Sequence, residues 1–178
     1  MKIIIPLAPG FEETEAVTVI DILRRAGLHT VTAAVSDNPV KGSHDIKITA
    51  DIMLNENDKY DAIVLPGGMP GTTNLKNDKR IIALVQSISK NGGITAAICA
   101  APIVLAEAGL LTGKKYTCYP GFENDIKNAV FSTDPVVTDG TIITSRGAGT
   151  AIPFALKLVE IMAGDKTAKE IQKSIIYS

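Results

Sequence analysis

The sequence is short of cysteine, of aromatic residues and of net charge. Its two cysteines, Cys99 and Cys118, are too few for a disulfide scaffold and lack the spacing of zinc ligands. They indicate a reducing, cytoplasmic location. Lys and Arg number 18 and Asp and Glu number 19, which gives a net charge of -1. This balance predicts no binding surface for nucleic acid or for an anionic membrane.

Long hydrophobic runs are also missing. No apolar stretch reaches the roughly 18 residues that a membrane-spanning helix needs. The opening residues, MKIIIPLAPGFEETE, are interrupted by proline and followed at once by acidic residues, unlike a secretory signal. No linker, repeat or low-complexity segment divides the chain, and 46% of its residues are hydrophobic. We therefore expect a single domain over residues 1–178.

Apolar and amphipathic segments alternate along the chain, which is typical of βαβ units. Five short apolar runs predict buried parallel strands: KIIIPL, HTVTAAV, DAIVLPGG, ITAAIC and TIITSRG. The segment PVVTDGTII carries Asp139 and Gly140 at a hairpin turn and predicts an antiparallel pair. The predicted helices are EETEAVTVIDILRRAG, DKRIIALVQSISKNGG, APIVLAEAG, TAIPFALKLVEIMAG and TAKEIQKSII. Together they predict an α/β fold with a mostly parallel sheet and helices on both faces.

Cys99 stands between a predicted strand and a predicted helix, at the sheet edge where such folds bind ligands. Its neighbours in AAICAAP are alanines, and small neighbours are what a sharp nucleophile elbow requires. The free N–H groups and the dipole of the helix start predict that Cys99 is held as a thiolate. The alternative is that Cys99 is a small, buried hydrophobic side chain.

Two further groups of residues are predicted to face the same crevice. Gly67 and Gly68 follow a strand and can present backbone N–H donors, which with the N–H of Ala100 would form an oxyanion hole. The acidic residues Glu12, Glu13 and Glu15 lie in the opening turns of the first helix, from which one carboxyl can reach the thiol. The alternative for these acids is ordinary compensation of the helix dipole at a solvated surface.

Four segments, in this order and spacing, resemble the ThiJ/PfpI superfamily and, within it, the DJ-1 branch of protein deglycases and glutathione-independent glyoxalases. They are PLAPGFEETEAVTVIDILRRAG, DAIVLPGGMPGTTNL, AAICAAPIVLAEAGLL and TSRGAGTAIPFALKLVE. The resemblance implies a flavodoxin-like three-layer sandwich, related to class I glutamine amidotransferase domains and usually a homodimer. It matches the reactive cysteine to Cys99, its partner glutamate to Glu15, and the oxyanion donors to Gly68 and Ala100.

A carboxyl group beside a thiol predicts that the pair holds one proton between them. We expect this sharing to raise the pKa of Glu15 and to lower that of Cys99. A protonated Glu15 can donate to a thiolate in catalysis or to a sulfinate in redox sensing.

The chain departs from its relatives at two positions near the thiol. PfpI-type peptidases have a histidine directly after the nucleophile, whereas this chain has Ala100, which argues against a peptidase. Members of the DJ-1 branch often have a histidine before a nearby proline, where this chain has Tyr119. Acid–base work is therefore expected to fall to Glu15.

Three other residues, His44, Cys118 and Tyr119, are candidate auxiliaries of the site, whereas His29 is not. His44 matches a basic residue that lies near the dimer contact in related proteins and reaches the neighbouring site. Cys118 ends a short predicted strand, KYTC, and is either oxidised together with Cys99 or packed in the core. Tyr119 takes the place of the missing histidine. His29 heads a predicted strand far from the crevice, and we expect it to be structural.

No cofactor and no metal is predicted. The acidic PGFEE loop would repel a flavin phosphate, and LTGKKYT lacks the spacing of a phosphate-binding P-loop. The GGMPGTT loop lacks the dinucleotide fingerprint, and no zinc-hydrolase helix occurs.

The resemblance implies a cofactor-independent enzyme that acts on reactive α-oxoaldehydes such as methylglyoxal, or on their adducts, through a hemithioacetal on Cys99. The alternative is a redox-responsive stress protein or chaperone whose Cys99 is oxidised to a sulfinate. A third reading, a peptidase or amidotransferase relative, needs a base that the sequence does not offer. The expected partners are a small aldehyde and a second copy of the chain.

Overall fold

The structure is a computed structural model that describes residues 1–55 and 58–178. The strands are β1 (Lys2–Leu7), β2 (His29–Ala34), β3 (Val40–Lys41), β4 (Lys47–Ile48), β5 (Ile52–Met53), β6 (Ala62–Leu65), β7 (Ile94–Ile98), β8 (Lys115–Tyr116), β9 (Val130–Phe131), β10 (Val136–Asp139) and β11 (Ile142–Ser145). The helices are α1 (Glu13–Arg25), α2 (Gly71–Asn77), α3 (Lys79–Lys90), α4 (Pro102–Glu107), α5 (Ala151–Ala163) and α6 (Asp165–Ser174). Two short 3₁₀ turns span Phe122–Asp125 and Ala148–Thr150.

Seven strands form one sheet in the order β10-β11-β7-β6-β1-β2-β5. All neighbours in this sheet are parallel except β10 and β11, which form the predicted antiparallel hairpin around Gly140. The chain runs from β1 to β2 on one side and later returns to β6 on the other side. A crevice therefore opens between the carboxyl ends of β1 and β6, where ligands of such folds bind.

Two apolar layers cover the sheet, one on each face. On β1, Ile3 and Ile5 pack in the layer built by α1 and α5, whereas Ile4 packs in the opposite layer with α3 and α4. Phe154 of α5 is fully buried in the first layer, and Tyr116 in the second. Each fully buried side chain of this size contributes about 1.5–3 kcal/mol. The predicted three-layer α/β sandwich is confirmed.

The predicted elements are found, most of them with shorter ends, although α6 begins two residues before its predicted start, and the sequence prediction missed some others. Gly27, Gly92, Gly109 and Gly164 have positive φ angles at or just beyond helix ends, as the helix-stop pattern predicts. The helix α2 was missed because it begins with Gly71 and two threonines, which are weak helix formers. The two-residue strands β3, β4, β5 and β9 are too short to show a periodic pattern of apolar residues in the sequence. Within the described ranges, no helix is both long enough and apolar enough to cross a membrane.

Candidate active site

The segments that follow β1, β6 and β7 meet at the crevice. Glu15 lies in the first turn of α1, Gly67 and Gly68 follow β6, and Cys99 follows β7. All three strands are neighbours in the sheet, so that their carboxyl ends bring these residues together. The predicted grouping of Cys99, Glu15 and the two glycines is thus observed.

Cys99 occupies a sharp turn with a left-handed backbone, at φ 65°. Such a conformation costs a residue with a side chain about 1–3 kcal/mol and persists where the surroundings fix it. Here the Cys99 N–H donates to the Ser145 carbonyl at 3.0 Å, and the Cys99 carbonyl accepts from the Tyr119 N–H at 2.8 Å. Ala100 and Ala101 are buried beside it. The predicted nucleophile elbow is present, and its small neighbours have the predicted steric role.

The two glycines allow close contact with the site. A Cβ on Gly67 would lie 2.5 Å from the Cys99 Cβ and 2.7 Å from Glu15 Oε2. Gly68 has φ +89°, and a Cβ there would lie 2.4 Å from the backbone nitrogen of Glu12. No other residue type lets this loop approach the thiol and the first helix so closely.

We expect Gly67→Ala to disrupt the site and to lower the free energy of unfolding by about 1–3 kcal/mol, because the new methyl group overlaps Cys99 and Glu15. Urea unfolding followed by circular dichroism measures this change. Gly149→Ala is the matched control, since Gly149 has no heavy atom within 4 Å of the added methyl group. Equal stabilities for the two variants would contradict the steric account.

Glu15 is buried, with 1% of its surface exposed. Its Oε2 accepts a hydrogen bond from the Gly67 N–H at 2.9 Å, whereas its buried Oε1 has no partner among the described residues. Burial raises the pKa of Glu15 to about 7, against the opposing hydrogen bonds from Gly67 and Cys99. The predicted rise in this pKa is confirmed.

The predicted lowering of the Cys99 pKa is wrong. Burial, followed by the negative charge of Glu15, raises the pKa of the Cys99 thiol to about 12, although the N–H groups of Gly68 and Ala100 act to lower it. The helix dipole adds little, because α4 begins only at Pro102 and is six residues long. Between pH values of about 7 and about 12, Glu15 and Cys99 together hold one proton.

The acids of the first helix turn have different roles. Glu12 accepts from the Glu15 N–H at 2.6 Å and caps the helix. The Glu13 Oε1 accepts the His44 N–H at 2.7 Å, and its Oε2 lies 2.8 Å from His44 Nδ1. Glu13 thereby ties the turn between β3 and β4 to the start of α1. Only Glu15 faces the thiol.

The remaining candidate residues occupy different positions relative to the thiol. Tyr119 borders the site through its backbone bond to Cys99 and is 50% exposed. Cys118 is fully buried in the layer with α3 and α4, whereas Cys99 packs against the other layer. Cys118 is therefore a packed core thiol. His29 is exposed at the amino end of β2, opposite the crevice, as expected.

Among the described residues, Glu12, Glu13 and His44 can bring one ligand atom each within 4.8 Å of one another. Hydrogen bonds within this group already use both oxygens of Glu13. The cluster therefore serves to hold the β3–β4 turn.

The Glu13–His44 pair makes the stability of this contact depend on pH. The hydrogen bond and charge of Glu13 raise the pKa of His44 above 6.5. The contribution of protonated His44 to the free energy of unfolding is therefore complete below pH 6.5 and is lost as pH rises through the raised pKa. The contact with His44 also lowers the pKa of Glu13 below 4.5, despite the burial of Glu13. The contribution of ionised Glu13 to the free energy of unfolding is therefore lost only when pH falls through this lowered pKa. The contact is therefore strongest between these two limits.

We expect His44→Gln to lower the melting temperature more at pH 6 than at pH 9. Differential scanning fluorimetry across this range measures the difference, with His29→Gln as the control. A difference between wild type and His44→Gln that stays constant from pH 6 to pH 9 would contradict the account.

The strand order, the elbow and the buried carboxyl beside the thiol define a class of protein, the flavodoxin-like α/β sandwich with a cysteine at its nucleophile elbow. The profile of the DJ-1/PfpI family matches residues 1–161, and the chain belongs to this family.

Relatives match nearly the whole chain. Protein dj-1beta of Drosophila melanogaster is 41% identical over 177 residues, which cover 97% of this chain and 95% of that protein. The crystal structure of Drosophila melanogaster DJ-1beta matches with a TM-score of 0.96, covering 100% of both chains at 40% identity. The glutathione-independent glyoxalase DJR-1.2 of Caenorhabditis elegans is 34% identical, over 92% of this chain and 89% of that protein. The oxidized DJ-1 of Toxoplasma gondii matches with a TM-score of 0.95 at 38% identity, covering 99% of this chain and 98% of that one.

Proposed function

We propose that this protein is a cofactor-independent, cysteine-dependent enzyme that acts on reactive α-oxoaldehydes such as methylglyoxal, or on the adducts they form with amino and thiol groups. The observation that carries the proposal is the buried Glu15 carboxyl in contact with Cys99, whose sulfur also faces the N–H groups of Gly68 and Ala100. A relative named as a glutathione-independent glyoxalase supports the same reaction class.

The first step is addition of Cys99 to the aldehyde carbon. A carbon–sulfur bond forms, the electron pair of the carbonyl moves to oxygen, and the thiol proton passes to Glu15. The N–H groups of Gly68 and Ala100 stabilise the sulfur anion beforehand and the developing oxyanion afterwards. Glu15 then returns this proton to the oxyanion, which gives a hemithioacetal and leaves Glu15 as a carboxylate that can act as a base.

The second step moves a proton between adjacent carbons. Glu15 removes the proton from the hemithioacetal carbon and returns one to the neighbouring carbon, so that the former ketone becomes a hydroxyl and the former aldehyde becomes a thioester. Water then cleaves the thioester to lactate and restores the thiol. The oxidation of one carbon balances the reduction of its neighbour, and no external oxidant or reductant is needed.

The position of the single proton decides whether the sulfur can react. When Glu15 holds it, the negative charge that raises the pKa of Cys99 disappears, and the two N–H donors act on the thiolate without that opposition. The unpartnered Oε1 favours this state, because a buried carboxylate oxygen without a donor is costly and a neutral carboxyl is less so.

Purified protein incubated with methylglyoxal, without glutathione, tests the proposal through lactate formation. A second candidate function, redox sensing through a Cys99 sulfinate, is favoured by the partial exposure of Cys99 and by the oxidized relative from Toxoplasma gondii. Absence of lactate together with a gain of two oxygens on Cys99 under mild peroxide, measured by mass spectrometry, would favour sensing over catalysis.

We also propose a cytoplasmic homodimer. The exposed outer face of α1 carries Val17, one turn beyond Glu13, and the turn that Glu13 holds carries Ile46; these side chains are 49% and 57% exposed. Exposed apolar side chains of this kind fit a contact with a second copy. Light scattering after size exclusion tests this: a mass of one chain at micromolar concentration would reject the dimer.

A further inference from the structure

The outer wall of the site is formed by Tyr119 and the backbone of Gly147. A Cβ on Gly147 would lie 3.3 Å from Tyr119 Cδ2 and 3.8 Å from its Cε2. The φ angle of Gly147 is 165°, an extended conformation that any residue can adopt. The space around this position, and not its backbone conformation, therefore limits the side chain. A methyl carbon added to Gly147 would crowd the Tyr119 ring, which would have to shift by a few tenths of an ångström.

The backbone of Tyr119 is anchored beside the nucleophile. Its backbone N–H donates to the Cys99 carbonyl at 2.8 Å. Phe122 packs against the ring edge-on, with 6.5 Å between the ring centroids and 72° between their planes. The backbone bond places Tyr119 beside the nucleophile, and Phe122 supports one edge of its half-exposed ring.

The same wall faces the free oxygen of Glu15. The Cβ position of Gly147 is 4.0 Å from Glu15 Oε1, the buried oxygen without a partner, whereas Oε2 is bound to the Gly67 N–H. The unpartnered oxygen of Glu15 therefore lies on the side of Gly147 and Tyr119. A group that reacts with both Cys99 and Oε1 must fit against this wall.

We propose that the Tyr119 ring and the Gly147 backbone form a size-selecting wall that limits the substituent on the aldehyde substrate, an inference that rests on the proposed function. A methyl group on the reacting α-oxoaldehyde is accepted, and an aryl group meets the ring. The wall makes Tyr119 a specificity-determining residue through its ring, with no part for the phenol hydroxyl. The substrate class that fits is the small, free α-oxoaldehyde.

Substrate competition tests the wall through turnover. We expect Tyr119→Ala to raise the ratio of kcat/KM for phenylglyoxal to that for methylglyoxal by about tenfold or more, mainly through KM. Tyr119→Phe keeps the ring and should keep the wild-type ratio. Tyr177→Ala removes an exposed tyrosine from the chain terminus and should leave both rates unchanged. An unaltered ratio in Tyr119→Ala would overturn the proposal.

Thiol labelling tests the wall without any catalysis. The rates at which iodoacetamide and the bulkier N-phenylmaleimide modify Cys99 are compared by peptide mass spectrometry, which separates Cys99 from Cys118. Tyr119→Ala should raise the rate ratio of the bulky to the small reagent about tenfold, and Tyr119→Phe should not. If wild type forms no lactate, the proposed function fails, while the labelling ratio still decides the wall: an equal ratio in wild type and Tyr119→Ala would reject it.

Discussion

Cys99→Ser is expected to reduce lactate formation from methylglyoxal by at least about 10³-fold, because removal of a covalent nucleophile removes the whole reaction path. Serine preserves the size of the side chain and the two N–H contacts, but its hydroxyl is a much weaker nucleophile than a thiolate. Lactate is measured enzymatically over time, with a sample that lacks protein as the background.

Cys118→Ala is the control for this result. Cys118 is the other thiol of the chain and is fully buried in the layer against which Cys99 does not pack. Its replacement should lower stability through a small cavity and leave turnover per folded molecule near that of wild type. Lactate formation by Cys99→Ser at the wild-type rate would refute the covalent mechanism.

Glu15→Gln is expected to lower kcat by about 10²–10⁴-fold, the usual contribution of a positioned acid–base group. The amide keeps the shape and can still accept the Gly67 N–H bond, but it cannot take up a proton. Since the pKa of Glu15 is raised to about 7, the wild-type kcat/KM should rise with pH through this value as the pair loses its first proton. That limb of the profile should be absent in the variant.

Glu107→Gln controls for the loss of a carboxyl as such, because Glu107 is half exposed on α4 and pairs only with Lys76 at 3.6 Å among the described residues. Stopped assays at several pH values, with circular dichroism of each variant, separate loss of catalysis from loss of fold. A Glu15→Gln enzyme with the wild-type rate and pH profile would remove the carboxyl from the mechanism.

The fold and the elbow were predictable because they depend on local patterns. Apolar runs without alternation indicated strands covered on both faces, and the alanines around Cys99 indicated a turn that tolerates only small side chains. The choice of Glu15 also has a local signal: it lies four residues before Val19, on the buried face of α1. The resemblance to a known family was still needed to select it from three acids.

The electrostatics of the site could not be predicted from the sequence. The pKa of Cys99 depends on how deeply the thiol is buried and on the charge of Glu15, which is 84 positions away in the chain. The contact of Glu13 with His44 depends on a turn between two strands of two residues each. Tyr119 and Gly147 come together from two separate loops, and neither segment carries a motif that predicts this proximity.

The pH dependence of Cys99 alkylation, in wild type and in Glu15→Gln, tests the shared proton most directly. The account predicts a wild-type rate that rises through an inflection near 7, the raised pKa of Glu15, and a variant that lacks this inflection. Two superimposable curves with a single inflection at about 8.5, the value of an ordinary thiol, would contradict it.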